Sequence, residues 1–318
     1  MTIRQLIVVS AALALVGSVA CGPPSEKRHR HMLGTAGASS ELYLWGGGAA
    51  QIVSQFSKNV QLTAQLTAGS GENLVRLRSG AMQLAVAANE LNLDMFTGGG
   101  TLPQYEHRAL FAITLGEWHW VARSDFEGST IYDFKGKRVS FGPKGGASYH
   151  LLGFLLDSFG LGFDDFDARY LSVGESVDAM KDRNIDAYVV CIKSPASAFM
   201  DLARIPGGIK LISLSPQDIA KARAAYPFLA ETVIPPDTYH GVSSPTRGVG
   251  RWQFLVSRAD LPDEAAYQIA KALTEHHDEF VDIIPAAVQS TPENTIQHAV
   301  IPLHPGVEQY FRENGYLN

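Results

Sequence analysis

Three segments rich in glycine and serine carry residue types that can bind a small anion through the backbone. They are Gly34–Gly48, Thr67–Asn73 and Gly142–Ser148. Glycine lets the backbone approach a ligand closely, and the helix start that follows offers N–H groups without intrahelical partners. Carboxylates and phosphates suit such sites, where the helix dipole adds about 0.3–1 kcal/mol. Because one such turn is often only a turn, and Ser70 is also a good N-cap, the prediction rests on all three loops together.

Motifs for other chemistries are missing from the sequence. It contains no glycine-rich dinucleotide or P-loop motif, no HExxH zinc motif and no GxSxG nucleophile motif. The run His276–Glu279 falls on an amphipathic helix pattern, and we interpret it as a solvated face rather than as metal ligands. We therefore predict no cofactor, no bound metal and no catalytic residue.

The elements that would position the three loops alternate between short apolar strands and amphipathic helices. Strands are predicted at Gln61–Leu66, Leu84–Ala88, Arg108–Ile113, Trp118–Arg123, Arg138–Phe141, Ala168–Val173, Ala187–Cys191, Lys210–Leu214 and Trp252–Ser257. Helices are predicted at Gly48–Gln55, Asn73–Ser79, Ser148–Phe159, Ser176–Arg183, Pro216–Tyr226, Asp263–Val281 and Pro305–Asn314. This alternation predicts an α/β fold with largely parallel sheets, whose ligand crevice lies at the carboxyl ends of the strands.

The order of these elements predicts two lobes rather than one. A turn-rich break at residues 125–142 separates two strand–helix series, and the stretch from Gly248 onward has too few strands for a sheet of its own. We therefore assign residues 33–123 and 248–318 to the first lobe and residues 124–247 to the second, with two hinge crossings. The triplet Trp118-His119-Trp120 lies at the first crossing, where we expect it to pack the hinge strand or, second, to line the cleft.

The composition fits a globular chain of this size. The residues are 46% hydrophobic and 18% charged, which is enough apolar sequence for a buried core. The length of 318 residues is too great for one ordinary domain. The formal net charge is −6 and no basic patch dominates, so nucleic acid is not an expected partner.

The first 20 residues are typical of an export signal. Arg4 provides a short positive region, and the apolar run Leu6–Val16 is shorter than the about 20 residues that a membrane span needs. Small residues, Ser18 and Ala20, then precede a cleavage point. We expect the mature protein to be periplasmic or otherwise extracytoplasmic.

The two cysteines, Cys21 and Cys191, have different expected fates. Cys21 with the following glycine resembles a bacterial lipobox, although Ser18 stands where an aliphatic residue is usual, so lipidation of Cys21 and plain cleavage after residue 20 both stay open. Residues 21–32 are interpreted as a solvated spacer. With Cys21 removed or lipidated, no internal disulfide is expected, and Cys191 is interpreted as a small buried strand residue rather than a nucleophile.

Five short motifs resemble those of a known family, in the family's order. They are Gly69-Ser70-x-Glu72-Asn73, Asp133-Phe134-Lys135-Gly136-Lys137-Arg138-Val139, Asn184-Ile185-Asp186-Ala187, Val233-Ile234-Pro235-Pro236-x-Thr238-Tyr239 and Ile301-Pro302-Leu303-His304-Pro305-Gly306. The chain from about Leu33 to its end resembles the TAXI-type solute-binding proteins of tripartite ATP-independent periplasmic (TRAP) transporters. The resemblance implies a type II-like periplasmic-binding-protein clamshell. It also implies a monomer that captures glutamate-like amino acids or dicarboxylates and delivers them to a membrane permease.

The resemblance also implies a set of ligand contacts, carried over position by position. In the first lobe these are Tyr43, Trp45, Gly46, Gly47, Ser70, Asn73 and Asn89, and in the second lobe Gly145, Gly146, Ala147, Ser148, Lys193 and Pro195. Trp45 stands where the family often has Tyr-Pro. Three placements of its ring stay open: on the aliphatic part of a ligand, at the rim of the crevice, or in the protein core.

Two lysines depart from the family pattern. Lys144 begins the segment that replaces Gly-Ser-Gly-Thr, and Lys193 replaces a glycine two residues before Pro195. We expect one of the two to place its cation against a solute carboxylate. In the alternative, each is a solvent-facing lysine whose stem lies on apolar surface.

The functional prediction is therefore an extracytoplasmic solute receptor of a TRAP-type transporter, and not an enzyme. A receptor that presents its ligand to a membrane kinase is the alternative, because both functions use the same clamshell. An enzyme on this fold is a third possibility, which requires a nucleophile or base inside the cleft.

Overall fold

One curled mixed β-sheet runs through the described chain, which a computed structural model covers at residues 28–38, 40–100, 102–144 and 147–318. The predicted export signal, Cys21 and the pair Gly145–Gly146 lie outside the described residues. None of the helices in the covered part is both long and apolar enough to cross a membrane.

Among the described residues the sheet has ten strands, with helices on both faces. The strands are β1 His29–Gly34, β2 Val60–Gln65, β3 Leu84–Ala88, β4 His107–Arg123, β5 Arg138–Ser140, β6 Asp167–Arg169, β7 Ala187–Ile192, β8 Ile209–Leu211, β9 Leu229–Ile234 and β10 Thr246–Arg258. The helices are α1 Glu41–Phe56, α2 Ser70–Ser79, α3 Asn89–Thr97, α4 Ala147–Ser158, α5 Val173–Lys181, α6 Ser197–Leu202, α7 Pro216–Ala225, α8 Asp263–Glu275, α9 His277–Ile283, α10 Pro292–His298 and α11 Pro305–Glu313. The strand order is β2-β1-β3-β10-β4-β7-β5-β6, with β8 beside β4 and β9 beside β10.

The two longest strands, β4 and β10, connect two parallel units. Strands β1, β2 and β3 are parallel to one another, as are β5, β6 and β7. β4 and β10 pair antiparallel along most of their length, from Gly250 opposite Glu117 to Arg258 opposite His107. The carboxyl-terminal part of β4, residues 117–123, pairs with β7 and β8. The amino-terminal part of β10, residues 246–251, pairs with β9.

The hydrophobic core divides at this ribbon. Two clusters of buried side chains come from residues 33–113 and 252–311, with Ala230 added to one of them, and two others come from residues 118–249. We call residues 28–113 and 252–318 lobe I, residues 118–249 lobe II, and residues 114–117 and 250–251 the crossing segments. Trp118 and Trp120, which the sequence analysis assigns to the first lobe, pack in a cluster with buried residues from 122 to 249.

Several elements begin earlier than their sequence patterns indicate. The end of the run interpreted as a spacer is in fact β1, which pairs with β2 and β3, and His31 within it is buried. Its basic residues concealed the strand pattern. Helix α1 begins at Glu41 rather than at Gly48, because Ser40 caps it by accepting a hydrogen bond from the Leu42 N–H.

Gly250 lies at a close approach between the two crossing segments. A Cβ atom added there would lie 2.4 Å from the Gly116 carbonyl oxygen and 2.9 Å from Thr232 Cγ2. We expect Gly250→Ala to lower the free energy of unfolding by about 1–3 kcal/mol, measured by urea denaturation, because a backbone atom would have to move.

Gly248, on the same strand, supplies the matched control. Its added Cβ would meet only Thr232 Oγ1 at 3.5 Å and the Trp118 carbonyl at 3.7 Å, which is ordinary contact. Gly248→Ala should therefore leave the unfolding free energy nearly unchanged. Equal effects of the two substitutions would contradict a specific close approach at Gly250.

Candidate functional site

The crevice between the lobes is formed by loops at the carboxyl ends of the parallel strands. The loops after β1, β2 and β3 belong to lobe I, and the loops after β5, β6 and β7 belong to lobe II. They face each other, because the Lys193 Nζ of lobe II lies 3.5 Å from the Glu41 Oε1 of lobe I. An ion pair between two partly exposed side chains therefore spans the crevice.

Ser70 and Asn73 hold the lobe I loops in place. The Ser70 hydroxyl accepts a hydrogen bond of 3.2 Å from the Ala88 N–H, which ties the start of α2 to the end of β3. Asn73 is fully buried, and its Nδ2 donates to the carbonyl oxygens of Thr35 at 2.7 Å and Val86 at 2.8 Å. Asn73 therefore ties the start of α2 to the loop after β1 and to strand β3.

Trp45 is a core residue. Its side chain has no exposed surface, and its ring centroid lies 5.4 Å from that of Phe280. The indole Nε1 donates to Ser290 Oγ at 2.9 Å, so its polar atom is also used within lobe I. Of the three placements expected for Trp45, the structure shows the core, because helix α1 begins early enough to turn this side chain inward.

The neighbouring positions of α1 differ in exposure. Gly46 is buried against Thr35, whose Cγ2 would lie 2.3 Å from an added Cβ, so its small size serves packing. Tyr43 is half-buried, and Gly47 is exposed with open space around it. Asn89 is buried and donates from Nδ2 to the His298 carbonyl at 2.8 Å. Of these four residues, Tyr43 and Gly47 are therefore the best placed to contact a ligand directly.

The lobe II loop after β7 is fixed by Glu117. The peptide bond between Ser194 and Pro195 is cis, and the Ser194 N–H donates to Glu117 Oε2 at 2.9 Å. Burial raises the pKa of the Glu117 carboxyl, while the hydrogen bonds from Ser194 and the Lys193 ammonium oppose that shift. Lys193 and the exposed Pro195 thus sit on a loop whose backbone is held by a crossing segment.

A buried hydrogen-bond network supports the same loop from below. The His119 Nδ1 lies 3.1 Å from the Glu117 carbonyl oxygen, and since a carbonyl only accepts, Nδ1 carries the hydrogen and Nε2 is the acceptor. Tyr239 donates its hydroxyl to Nε2 at 2.8 Å and accepts from the Ala196 N–H at 2.9 Å. Ser194 Oγ lies 3.0 Å from Nε2. The histidine is oriented by a backbone carbonyl rather than by a carboxylate, unlike the histidine of a serine-protease triad.

The floor of the crevice carries an ion pair that the sequence does not reveal. Arg251 Nη1 contacts Glu90 Oε1, and the two side chains are only 12% and 15% exposed. Glu90 Oε2 is buried and has no hydrogen-bond partner among the described residues. Burial raises the pKa of the adjacent Cys191 to about 11, although the Arg251 guanidinium opposes the shift, so this thiol is protonated at neutral pH and a poor nucleophile.

Lys144 lies on an aromatic wall of lobe II. Its Nζ sits 4.3 Å from the ring centroid of Tyr170, which follows β6 at the carboxyl edge of the sheet. The Tyr170 ring packs edge-on against Tyr149 at 5.5 Å. Of the neighbouring predicted contacts, Gly145 and Gly146 are not described, and for Ala147 and Ser148 only the backbone at the start of α4 is.

Sequence reasoning missed the carboxylates of this site. Glu41, Glu90 and Glu117 come from three separate elements and belong to no recognisable motif. Arg251 lies on a strand whose sequence pattern indicates only that the strand is buried. The one available signal was the polar pair Glu117 and His119 within an otherwise apolar crossing strand.

Two comparisons place this arrangement among known proteins. A model of the NMT1-like family matches residues 33–315. The chain belongs to the NMT1-like family. It is similar to a TctC solute binding protein from Polaromonas, with a TM-score of 0.55 and 12% identity over 93% of this chain and 100% of that one.

Two further solved structures resemble this NMT1-like protein. PhnD1 from Prochlorococcus marinus, in complex with methylphosphonate, aligns with a TM-score of 0.51 and 10% identity over 91% of this chain and 99% of that one. The periplasmic sulfonate-binding protein SsuA from Methylobacillus flagellatus gives 0.50 and 14% over 92% and 79%. At these identities the likeness shows the fold, and it confirms the predicted two-lobed α/β clamshell of periplasmic binding proteins.

Proposed function

We propose that this NMT1-like protein is an extracytoplasmic receptor that captures a small carboxylate-bearing solute by closing its two lobes. The observation that carries the proposal is the contact between Lys193 and Glu41, which brings the loops of the two lobes face to face. Around it lie loops rich in backbone N–H groups, and such groups suit a carboxylate. Two populated states, open and closed, would be biased toward the closed one by a ligand that touches both lobes.

The finer proposal is a TAXI-type receptor that delivers a glutamate-like amino acid or a dicarboxylate to a TRAP-type permease. Its support is the five motifs between Gly69 and Gly306, together with membership of the NMT1-like family. The leader pattern supports export, and lipidation of Cys21 would tether the receptor to the membrane. A TRAP permease gene beside the gene for this chain would support delivery, whereas a sensor-kinase gene in that place would favour sensing.

The receptor function is tested by identifying the solute that the protein carries. The full chain, exported by its own leader into a bacterial periplasm, is purified and denatured, and mass spectrometry identifies what it releases. We expect a small carboxylate that raises the Tm of the refolded protein by several degrees when added back, since binding to the native state alone stabilises it. A protein that releases no solute, and whose Tm no carboxylate raises, would contradict the proposal.

A further inference from the structure

Two cations of the crevice are neutralised by carboxylates of the protein. Lys144, Lys193 and Arg251 lie on its loops and floor. Lys193 is paired with Glu41 at 3.5 Å, and Arg251 is paired with Glu90. A solute anion could take either cation only by leaving a carboxylate of the protein without its partner, and at Arg251 that carboxylate is buried.

Lys144 differs from Lys193 and Arg251. Within the described chain no carboxylate lies at ion-pair distance from its ammonium, which sits over the face of Tyr170 at 4.3 Å. A ring face attracts a cation through its quadrupole and leaves the cation's charge intact. A lysine ammonium also has three N–H donors, and a single ring face can engage only part of them.

The position of Lys144 in the fold is suited to a ligand. It follows β5, and Lys193 follows β7, the parallel neighbour of β5, so the two lysines leave the sheet at the same edge. Tyr170 follows β6, on the other side of β5. The ring is therefore built on the strand next to the loop that carries the lysine, and its own packing against Tyr149 at 5.5 Å and Phe163 at 6.4 Å restricts its orientation.

We propose that Lys144 is the cation that binds the anionic group of the solute, and that Tyr170 is the residue that positions it. The assignment rests on the receptor function proposed above and names its anion contact. Lys193 then has a different part, since its pair with Glu41 joins the lobes across the crevice. The assignment implies a solute that carries an anionic group at the end that contacts lobe II.

Binding measurements on matched variants test the assignment. Isothermal titration with succinate, L-glutamate, methanesulfonate and methylphosphonate as anionic probes, and succinamide as a neutral probe, gives Kd for the wild-type chain. Lys144→Gln is expected to weaken the anionic probe that binds best by about tenfold to hundredfold, as for loss of a hydrogen bond to a charged group. Its affinity for succinamide should stay the same.

Lys181→Gln is the matched control, because it removes an equal charge from an exposed lysine at the end of α5, the helix that precedes β7 in lobe II. We expect it to change Kd by less than about fivefold. For the positioning role, Tyr170→Phe keeps the ring face and should retain wild-type affinity, whereas Tyr170→Leu should approach Lys144→Gln. Tm values of all variants show whether each one is folded.

The outcomes separate this inference from the receptor function. An anion that binds the wild-type chain and the Lys144→Gln variant equally well overturns the role of Lys144 and leaves the receptor function standing. Equal losses in Lys144→Gln and Lys181→Gln overturn a specific contact of Lys144, because any loss of positive charge in lobe II would then weaken binding alike. A wild-type chain that binds none of the anionic probes overturns both the assignment and the carboxylate receptor.

Discussion

Replacing Arg251 with methionine is expected to lower the free energy of unfolding by about 3–5 kcal/mol, because it leaves the Glu90 carboxylate buried without its cation. Both side chains are largely buried on the crevice floor, at 12% and 15% exposure, and the second carboxylate oxygen already has no partner within the described chain. Little solvent is therefore available to replace the lost guanidinium. Urea denaturation followed by tryptophan fluorescence measures the change.

Arg247 on the same strand offers a matched control. It pairs with Glu231 at 2.9 Å, but these side chains are 56% and 38% exposed, so Arg247→Met should cost less than about 1 kcal/mol. The double variant Glu90→Gln/Arg251→Met should recover part of the stability, since the carboxylate is gone as well. A free energy of unfolding for Arg251→Met within about 1 kcal/mol of the wild-type value would contradict the burial of this ion pair.

Acidification is expected to destabilise the protein through His119 by about 3 kcal/mol. Burial lowers the pKa of His119 from its ordinary value of 6.5 to about 4, although the hydrogen bond to the Glu117 carbonyl opposes this shift. Below pH 6.5 the unfolded chain takes up a proton at His119 that the folded chain does not, so stability falls as the pH drops to about 4. Each pKa unit corresponds to about 1.4 kcal/mol, which gives the expected size.

The His119→Gln variant isolates this contribution, because glutamine can still accept the Tyr239 hydrogen bond but does not titrate. Unfolding free energies at pH 7 and pH 4.5 should differ less for His119→Gln than for the wild type. His240→Gln, at an exposed histidine, should follow the wild type. If all three proteins lose the same stability between these pH values, other groups account for the acid response.

Much of the fold was predictable because its elements carry strong local patterns. The helix α4, with its leucines at helical spacing and Gly160 behind it, and strands such as β3 were predicted to within a residue or two. Strand β1 was missed because its first residues are His29, Arg30 and His31, whose polarity hides a strand that is buried only from residue 31 onward. The long strand β4 was predicted as two strands, because its centre at Leu115 and Gly116 is half-exposed at the crossing.

The candidate site was predictable in its backbone but not in its side chains. Glycine-rich loops at strand ends are visible in a sequence, and the structure places those it describes on the crevice. Whether a side chain on such a loop turns inward depends on where its helix begins, which is why Trp45 lies in the core. The pairs Glu41 with Lys193 and Glu90 with Arg251 join residues more than 150 positions apart, and no local pattern encodes such a partnership.

The chain order of the two lobes has a consequence for how the protein is made. Lobe II is one uninterrupted stretch, whereas lobe I needs β10 to lie between β3 and β4. On the ribosome, which extends the chain from its amino terminus, most of lobe II can fold while β3 still presents an unpaired edge. During that interval the nascent protein exposes a short, entirely apolar strand, Leu84–Ala88, so protection by chaperones matters most before β10 emerges.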